Sequence, residues 1–212
     1  MSRGFLVILA ILALAFAALT GFALHRGLLR FPAGAGQQTT AQQTAAIGGP
    51  FRLVDEHGRQ VDQSVLKGRW SALFFGYTNC PDACPTTLFA LAQAEKQLGP
   101  KAADFQTVFI SVDPARDTPA QMAKYLSNDA FPRRSLGLTG AEAQVAAAAK
   151  AYKVYYQKAG SGPDYTVNHS TFTYLMTPKG GFACVIPYNA SPQEIAGHVT
   201  TAMAAGPDAQ SC

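Results

Sequence analysis

Ser71-Ala72-Leu73-Phe74-Phe75-Gly76-Tyr77, followed by Thr78-Asn79-Cys80-Pro81-Asp82-Ala83-Cys84-Pro85, carries the reading of the fold. The first seven residues form a short apolar run, which predicts a strand buried on both faces. Pro85–Leu98 carries Leu88, Leu91 and Leu98 on one side and stops at Gly99-Pro100, which predicts a helix. A proline inside that helix would clash with the carbonyl four residues earlier, whereas the first helical position suits it. Pro85 is therefore expected at N1, Cys84 at or near the N-cap and Cys80 in the preceding turn. Both thiols then face the positive end of a helix, which favours thiolate. A bridge across so short a loop restrains the unfolded chain little, so a purely structural disulfide explains the pair poorly.

Outward from this turn, strand and helix alternate. Gln106–Val112 predicts a second buried strand, and Thr118-Pro119 opens a short helix to Leu126 with threonine as N-cap and proline at N1. Ala141–Tyr152 is Ala-rich and helical in pattern. Phe172–Met176 and Phe182–Ile186 form a predicted hairpin around Pro178-Lys179-Gly180-Gly181, and Ser191-Pro192 caps a last helix, Pro192–Ala205. Upstream, Phe51–Val54 and Gln60–Val61 flank the turn Asp55-Glu56-His57-Gly58. The order predicts an α/β fold: a thioredoxin-like sandwich over residues 51–205 with an N-terminal β-hairpin. Trp70, Phe75 and Tyr77 are expected in the core, and residues 206–212 as a loose tail.

The chain has 212 residues, 48% apolar and 14% charged, which excludes a disordered polypeptide. Phe5–Leu24 holds 20 residues without a charge, about 30 Å of helix, and predicts one uncleaved transmembrane anchor. Residues 25–50, rich in Gly, Gln, Thr and Ala from Pro32 onward, read as a flexible tether. Three of the 17 basic residues, Arg3, Arg26 and Arg30, flank the anchor; the remaining 14 face 13 acidic residues. With no basic stripe left to grip phosphates, nucleic acid is excluded as a partner.

Cys184 alternates with Phe182 and Ile186 and is expected in the core, with Cys212 as an exposed thiol on the tail; a Cys184–Cys212 bridge is the less favoured alternative. His25, His57 and His198 have unremarkable settings at the anchor, in a turn and in a helix. His169 lies in the loop Asp164–Ser170 before a predicted strand, where a thioredoxin-like fold brings it beside the cysteine turn. Asp113, Arg116 and Asp117 follow the second buried strand; an Arg116–Asp117 ion pair or loop brace is expected there. Asp82, between the cysteines, is expected to tune their ionisation or to touch a partner.

Five blocks together resemble the Sco/SenC family: Phe75–Pro85, Ser111–Thr118, Leu138-Thr139-Gly140, Tyr152–Tyr156, and Asp164-Tyr165 with His169-Ser170. The resemblance covers the chain from Phe51 to about Ala205. It implies copper, as Cu(I) or Cu(II), held by Cys80, Cys84 and His169. It further implies a bacterial inner-membrane protein, single-pass, with its C-terminal domain in the periplasm. Such a protein delivers copper to the dinuclear site of cytochrome c oxidase subunit II and meets other copper chaperones or thiol–disulfide oxidoreductases. Two thiolates and an imidazole suit Cu(I), whereas Zn(II) prefers a closed set of four. The alternative is a thiol–disulfide oxidoreductase in which Cys80 and Cys84 are a redox pair that reduces the partner's cysteines; a peroxidase is a third, weaker reading. No turnover of a small-molecule substrate is expected. The family often carries Asp before the histidine; here it is Asn168, the expected acceptor for the ring's second nitrogen.

Overall fold

The computed structural model describes Gly4, Phe22, residues 47–208 and residues 210–212. Gly4 and Phe22 are helical and belong to a unit separate from Ala45–Cys212. The predicted anchor and tether lie outside the described residues except for Phe22 and residues 47–50; among the described residues no helix is long and apolar enough to cross a membrane.

The strands are β1 (Arg52–Asp55), β2 (Gln60–Asp62), β3 (Trp70–Gly76), β4 (Phe105–Ser111), β5 (Ser135–Thr139), β6 (Tyr156–Ala159), β7 (Thr166–His169), β8 (Thr173–Met176) and β9 (Phe182–Ile186). The α-helices are α1 (Ala83–Gln97), α2 (Pro119–Leu126), α3 (Glu142–Ala151) and α4 (Pro192–Ala205). Seven strands form one mixed sheet in the order β2-β1-β5-β4-β3-β8-β9, and β6 and β7 form a separate two-stranded sheet. β3 runs parallel to β4 and antiparallel to β8. With neighbours on both edges and helices over both faces, every residue of β3 is buried, which explains its unbroken apolar sequence.

The pleat sorts those residues between two cores. Trp70, Ala72 and Phe74 join Leu88 and Leu91 of α1 and Ile195 and Val199 of α4. Leu73, Phe75 and Tyr77 join Val145 and Ala148 of α3, with Tyr152 just beyond it. Leu88 and Val199 are fully buried, each contributing about 1.5–3 kcal/mol of hydrophobic stabilisation. The predicted caps are present. Thr118 Oγ1 accepts from the Gln121 N–H at 3.2 Å. Ser191 Oγ accepts from the Glu194 N–H, and the Glu194 carboxylate accepts from the Ser191 N–H at 2.7 Å.

The thioredoxin-like sandwich and its N-terminal hairpin are thus as expected, with three corrections. Helix α1 begins at Ala83 with Asp82 as N-cap, so Pro85 is the third helical residue rather than the first. The position is tolerated because Pro81, four residues earlier, lies outside the helix. Strand β5 and the β6–β7 hairpin add to the expected elements. The tail is not loose: Cys212 is bridged to Cys184, Cα–Cα 6.0 Å, and Lys179 pairs with Asp208 at 2.6 Å. Cys184 is therefore half-buried and oxidised rather than a core thiol, because the tail brings a second sulfur to β9.

Candidate metal centre

Three segments meet at the C-terminal end of β3. The first is the turn from Tyr77 to Cys84, closed by a hydrogen bond from the Cys80 N–H to the Tyr77 carbonyl at 3.2 Å. It is braced from behind by Asp117, which is fully buried. The Asp117 carboxylate accepts from the Thr78 N–H (3.0 Å), the Thr78 hydroxyl (2.6 Å) and the Ser111 hydroxyl (2.6 Å). Burial raises its pKa although these three donors oppose the shift.

The second segment is the loop after β4. Here Arg116 pairs with Asp113 at 2.5 Å, not with Asp117 as expected. The two acids divide the work: Asp117 faces inward to the cysteine turn, and Asp113 faces the third segment, the β6–β7 hairpin. Arg116 Nη1 donates to the carbonyls of Tyr165 (3.0 Å) and Pro163 (3.2 Å), and its guanidinium lies 3.7 Å from the Tyr165 ring centroid. The Tyr165 hydroxyl donates to the other Asp113 oxygen. This clamp holds the hairpin whose last residue is His169, paired across the ladder with Tyr156.

Cys80, Cys84 and His169 converge, each offering one ligand atom, with all three atoms within 4.8 Å of one another. Among the described residues no fourth histidine, cysteine or carboxylate joins them. Cys84 is buried, and Cys80 and His169 are half-buried, so the cluster is open on one side. The Cys84 N–H, in the first turn of α1, donates to Cys80 Sγ at 3.4 Å. Both cysteines are free thiols. The Cys80 pKa is held down to about 3, first by the hydrogen bond from the Cys84 thiol and then by His169 and the N–H groups of Cys84 and Asp82, against partial burial. Cys84 is pushed far up, because its proton is committed to Cys80 and because it is buried. The pair is therefore one thiolate and one thiol sharing a proton.

His169 Nδ1 lies 2.8 Å from the Ser170 carbonyl. A carbonyl only accepts, so Nδ1 donates to it, and Nε2 is the ring atom turned toward the cysteines: a proton on it serves the Cys80 thiolate, and a metal ion would take its lone pair instead. Nε2 sits 3.8 Å from Cys84 Sγ. The edge of Tyr77, centroids 5.8 Å apart and nearly perpendicular, packs on the ring. The acceptor is thus a backbone carbonyl and not Asn168, whose side chain is exposed on the ladder opposite Gln157. Asp82 acts through its N–H; its carboxylate accepts from the Thr86 hydroxyl at 3.2 Å. One thiolate, one thiol whose proton the metal must displace and one imidazole nitrogen form a soft, under-filled donor set, which fits Cu(I).

The buried Asp117–Thr78 brace was not apparent from sequence, since it spans 39 positions with no local pattern. Nor was the neighbourhood of His198, which joins Cys184 and Cys212 in a second group of ligand atoms within 4.8 Å.

A profile of the SCO1/SenC family matches residues 39–204. The mitochondrial SCO2 homolog of Bos taurus is 41% identical over 177 residues, 80% of this chain and 65%, just under two thirds, of that protein. The structure of Bradyrhizobium japonicum ScoI with copper bound aligns with a TM-score of 0.66 and 42% identity, over 72% of this chain and 96% of that one. BsSco, described as having a disulfide switch and as a member of the Sco family of cytochrome c oxidase assembly proteins, shares the fold at 23% identity, with a TM-score of 0.58 over 73% of this chain and 91% of its own.

Proposed function

The chain belongs to the SCO1/SenC family, and on that premise we propose that it is a membrane-anchored copper chaperone. It takes up copper on Cys80, Cys84 and His169 and delivers it to the dinuclear copper site of cytochrome c oxidase subunit II. The convergence of those three ligand atoms within 4.8 Å carries the reading. Copper is the cargo. Cys80 presents a ready thiolate, Cys84 gives up the shared proton on binding, and the Nε2 lone pair of His169 completes the set. The open side of the cluster leaves room for an acceptor's ligands. The apolar run Phe5–Leu24 would hold the domain at the inner membrane, facing the periplasm.

One observation favours a second reading, a thiol–disulfide oxidoreductase acting on the cysteines of the same partner. Cys80 is a half-exposed thiolate beside a buried thiol, the arrangement of an attacking sulfur and a resolving one. His169 separates the two. In copper titrations of the reduced protein, His169→Ala should weaken Cu(II) binding sharply and Cu(I) binding less, while the Cys80–Cys84 disulfide still forms. Oxidising that pair should abolish loading. If His169→Ala binds both copper states like wild type and still supports oxidase assembly, the chaperone site is wrong and the reductase reading takes its place.

A further inference from the structure

Outside the proposed site the fold assembles the same three residue types a second time. Cys184 stands on β9, across the ladder from Leu175. His198 stands on α4, which packs against β9. Cys212 arrives from the tail, 28 positions after Cys184. One ring nitrogen and two sulfurs lie within 4.8 Å of one another, and all three residues are half-buried. A structural disulfide needs no imidazole at its side. Glu194, one turn earlier on α4, interacts with His198 electrostatically but is not among the clustered ligand atoms, and one of its oxygens accepts from the Ser191 N–H.

We propose that Cys184, His198 and Cys212 form a second soft-metal site, for Cu(I), which their disulfide keeps closed and a dithiol reductant opens. The chemistry balances as follows. A dithiol attacks the Cys184–Cys212 bond and leaves as a cyclic disulfide, having lost two electrons. The S–S bond breaks, and the two protons of the dithiol end on Cys184 and Cys212. Cu(I) then displaces thiol protons to solvent and binds two sulfurs and the imidazole, a donor set it favours. Two of the donors ride on packed elements, β9 and α4; only Cys212 comes from the tail. The metal would close the same loop that the disulfide closes. The Lys179–Asp208 pair, exposed on both sides, holds the tail only weakly by itself. The tail is therefore tied in the oxidised and metal-loaded states and released in the reduced, empty state.

The test uses the full chain in detergent with Cys80→Ser and Cys84→Ser, which removes the first site and makes the result independent of the proposed function. With the remaining disulfide intact this variant should bind no Cu(I) in competition with a chromophoric chelator. After anaerobic dithiothreitol reduction it should bind one equivalent. Adding His198→Ala should lower the affinity at least tenfold, and adding Cys184→Ser and Cys212→Ser should abolish binding. Wild type provides a second measurement that no substitution can spoil: two equivalents when fully reduced, one when only Cys80 and Cys84 are reduced. Limited proteolysis should cut the chain between Ala205 and Cys212 in the reduced, empty form only. If the reduced double variant binds no more copper than the quadruple variant, or if His198→Ala leaves the affinity unchanged, the assignment is overturned.

Discussion

Gly76→Ala offers the sharpest test of how the fold seats Cys84. Gly76 ends β3, and a Cβ there would lie 2.5 Å from Cys84 Sγ and 2.8 Å from Phe109 Cε2. Ordinary contact needs about 3.5–4.0 Å, so the new methyl is too close to both neighbours, by about 1 Å at the sulfur. The φ of Gly76 is not positive, so alanine fits the backbone and the cost is steric. Phe109 cannot yield readily: it is fully buried, stacked on Phe74 with centroids 4.8 Å apart, and flanked by Tyr125. The Cys84 sulfur has the ligand cluster on its far side, so the strain that packing cannot absorb displaces a metal ligand. Overpacking of this kind costs about 1–3 kcal/mol. Metal sites tolerate about 0.2 Å in ligand distance, so a 1 Å displacement of one donor in three should cost at least tenfold in Cu(I) affinity. Urea denaturation of the reduced protein reads the first effect and chelator competition the second. Adding Phe109→Leu should recover part of the stability but none of the copper affinity, because the sulfur contact is separate. A Gly76→Ala protein within about 0.5 kcal/mol of wild type, with unchanged copper affinity, would refute the reasoning.

Three further expectations follow from the same geometry and from the apolar run. Asp117→Ala should destabilise the protein by about 2 kcal/mol or more in urea, since it strands the Thr78 N–H and the Ser111 hydroxyl and leaves the Thr78 hydroxyl only its longer bond to Asn79; Asp117→Asn, which keeps one acceptor oxygen, should cost clearly less, and equal costs would mean the brace does not act through its oxygens. Cys80 should react with iodoacetamide at a nearly constant rate from pH 7 to pH 5, where an ordinary thiol slows about tenfold per unit. The sign for stability follows: the folded pKa, about 3, lies below the ordinary 9.0, so the reduced form loses stability as pH falls through this window. A tenfold loss of alkylation rate per pH unit would contradict the shared-proton pair. The proposed anchor should remain in the mature protein, so N-terminal sequencing that finds a start at or after Gly36 would remove it.

What could be read from the sequence was local. β3 and β4 announce themselves as apolar runs, and Thr118 and Ser191 announce helices because a cap is decided within four residues. β5 is Ser-Leu-Gly-Leu-Thr, too short and too broken by glycine to stand out, and it forms because β4 offers it an edge. β6 and β7 read Tyr-Gln-Lys-Ala and Thr-Val-Asn-His, largely solvent-facing, so apolar periodicity had nothing to register. Of the site, Cys80 and Cys84 were legible from their place between strand and helix, and His169 from its place before a strand. The Ser170 carbonyl, the Asp113–Tyr165 contact and the Cys184–Cys212 bridge were not, because each depends on chain segments meeting in three dimensions.

The separate sheet formed by β6 and β7 divides the donors between two mechanical bodies. Both sulfurs belong to the stiff one, where displacing Cys84 means disturbing α1 and the packed end of β3. The imidazole belongs to a two-stranded arm fastened to the main body by the Arg116–Asp113–Tyr165 clamp and the edge of Tyr77. Withdrawing His169 disturbs that fastening and leaves the seven-stranded ladder whole. The three donors are therefore unequal in compliance. Under the proposed delivery role, copper held by two rigid points and one yielding point would leave the imidazole first and the sulfurs last.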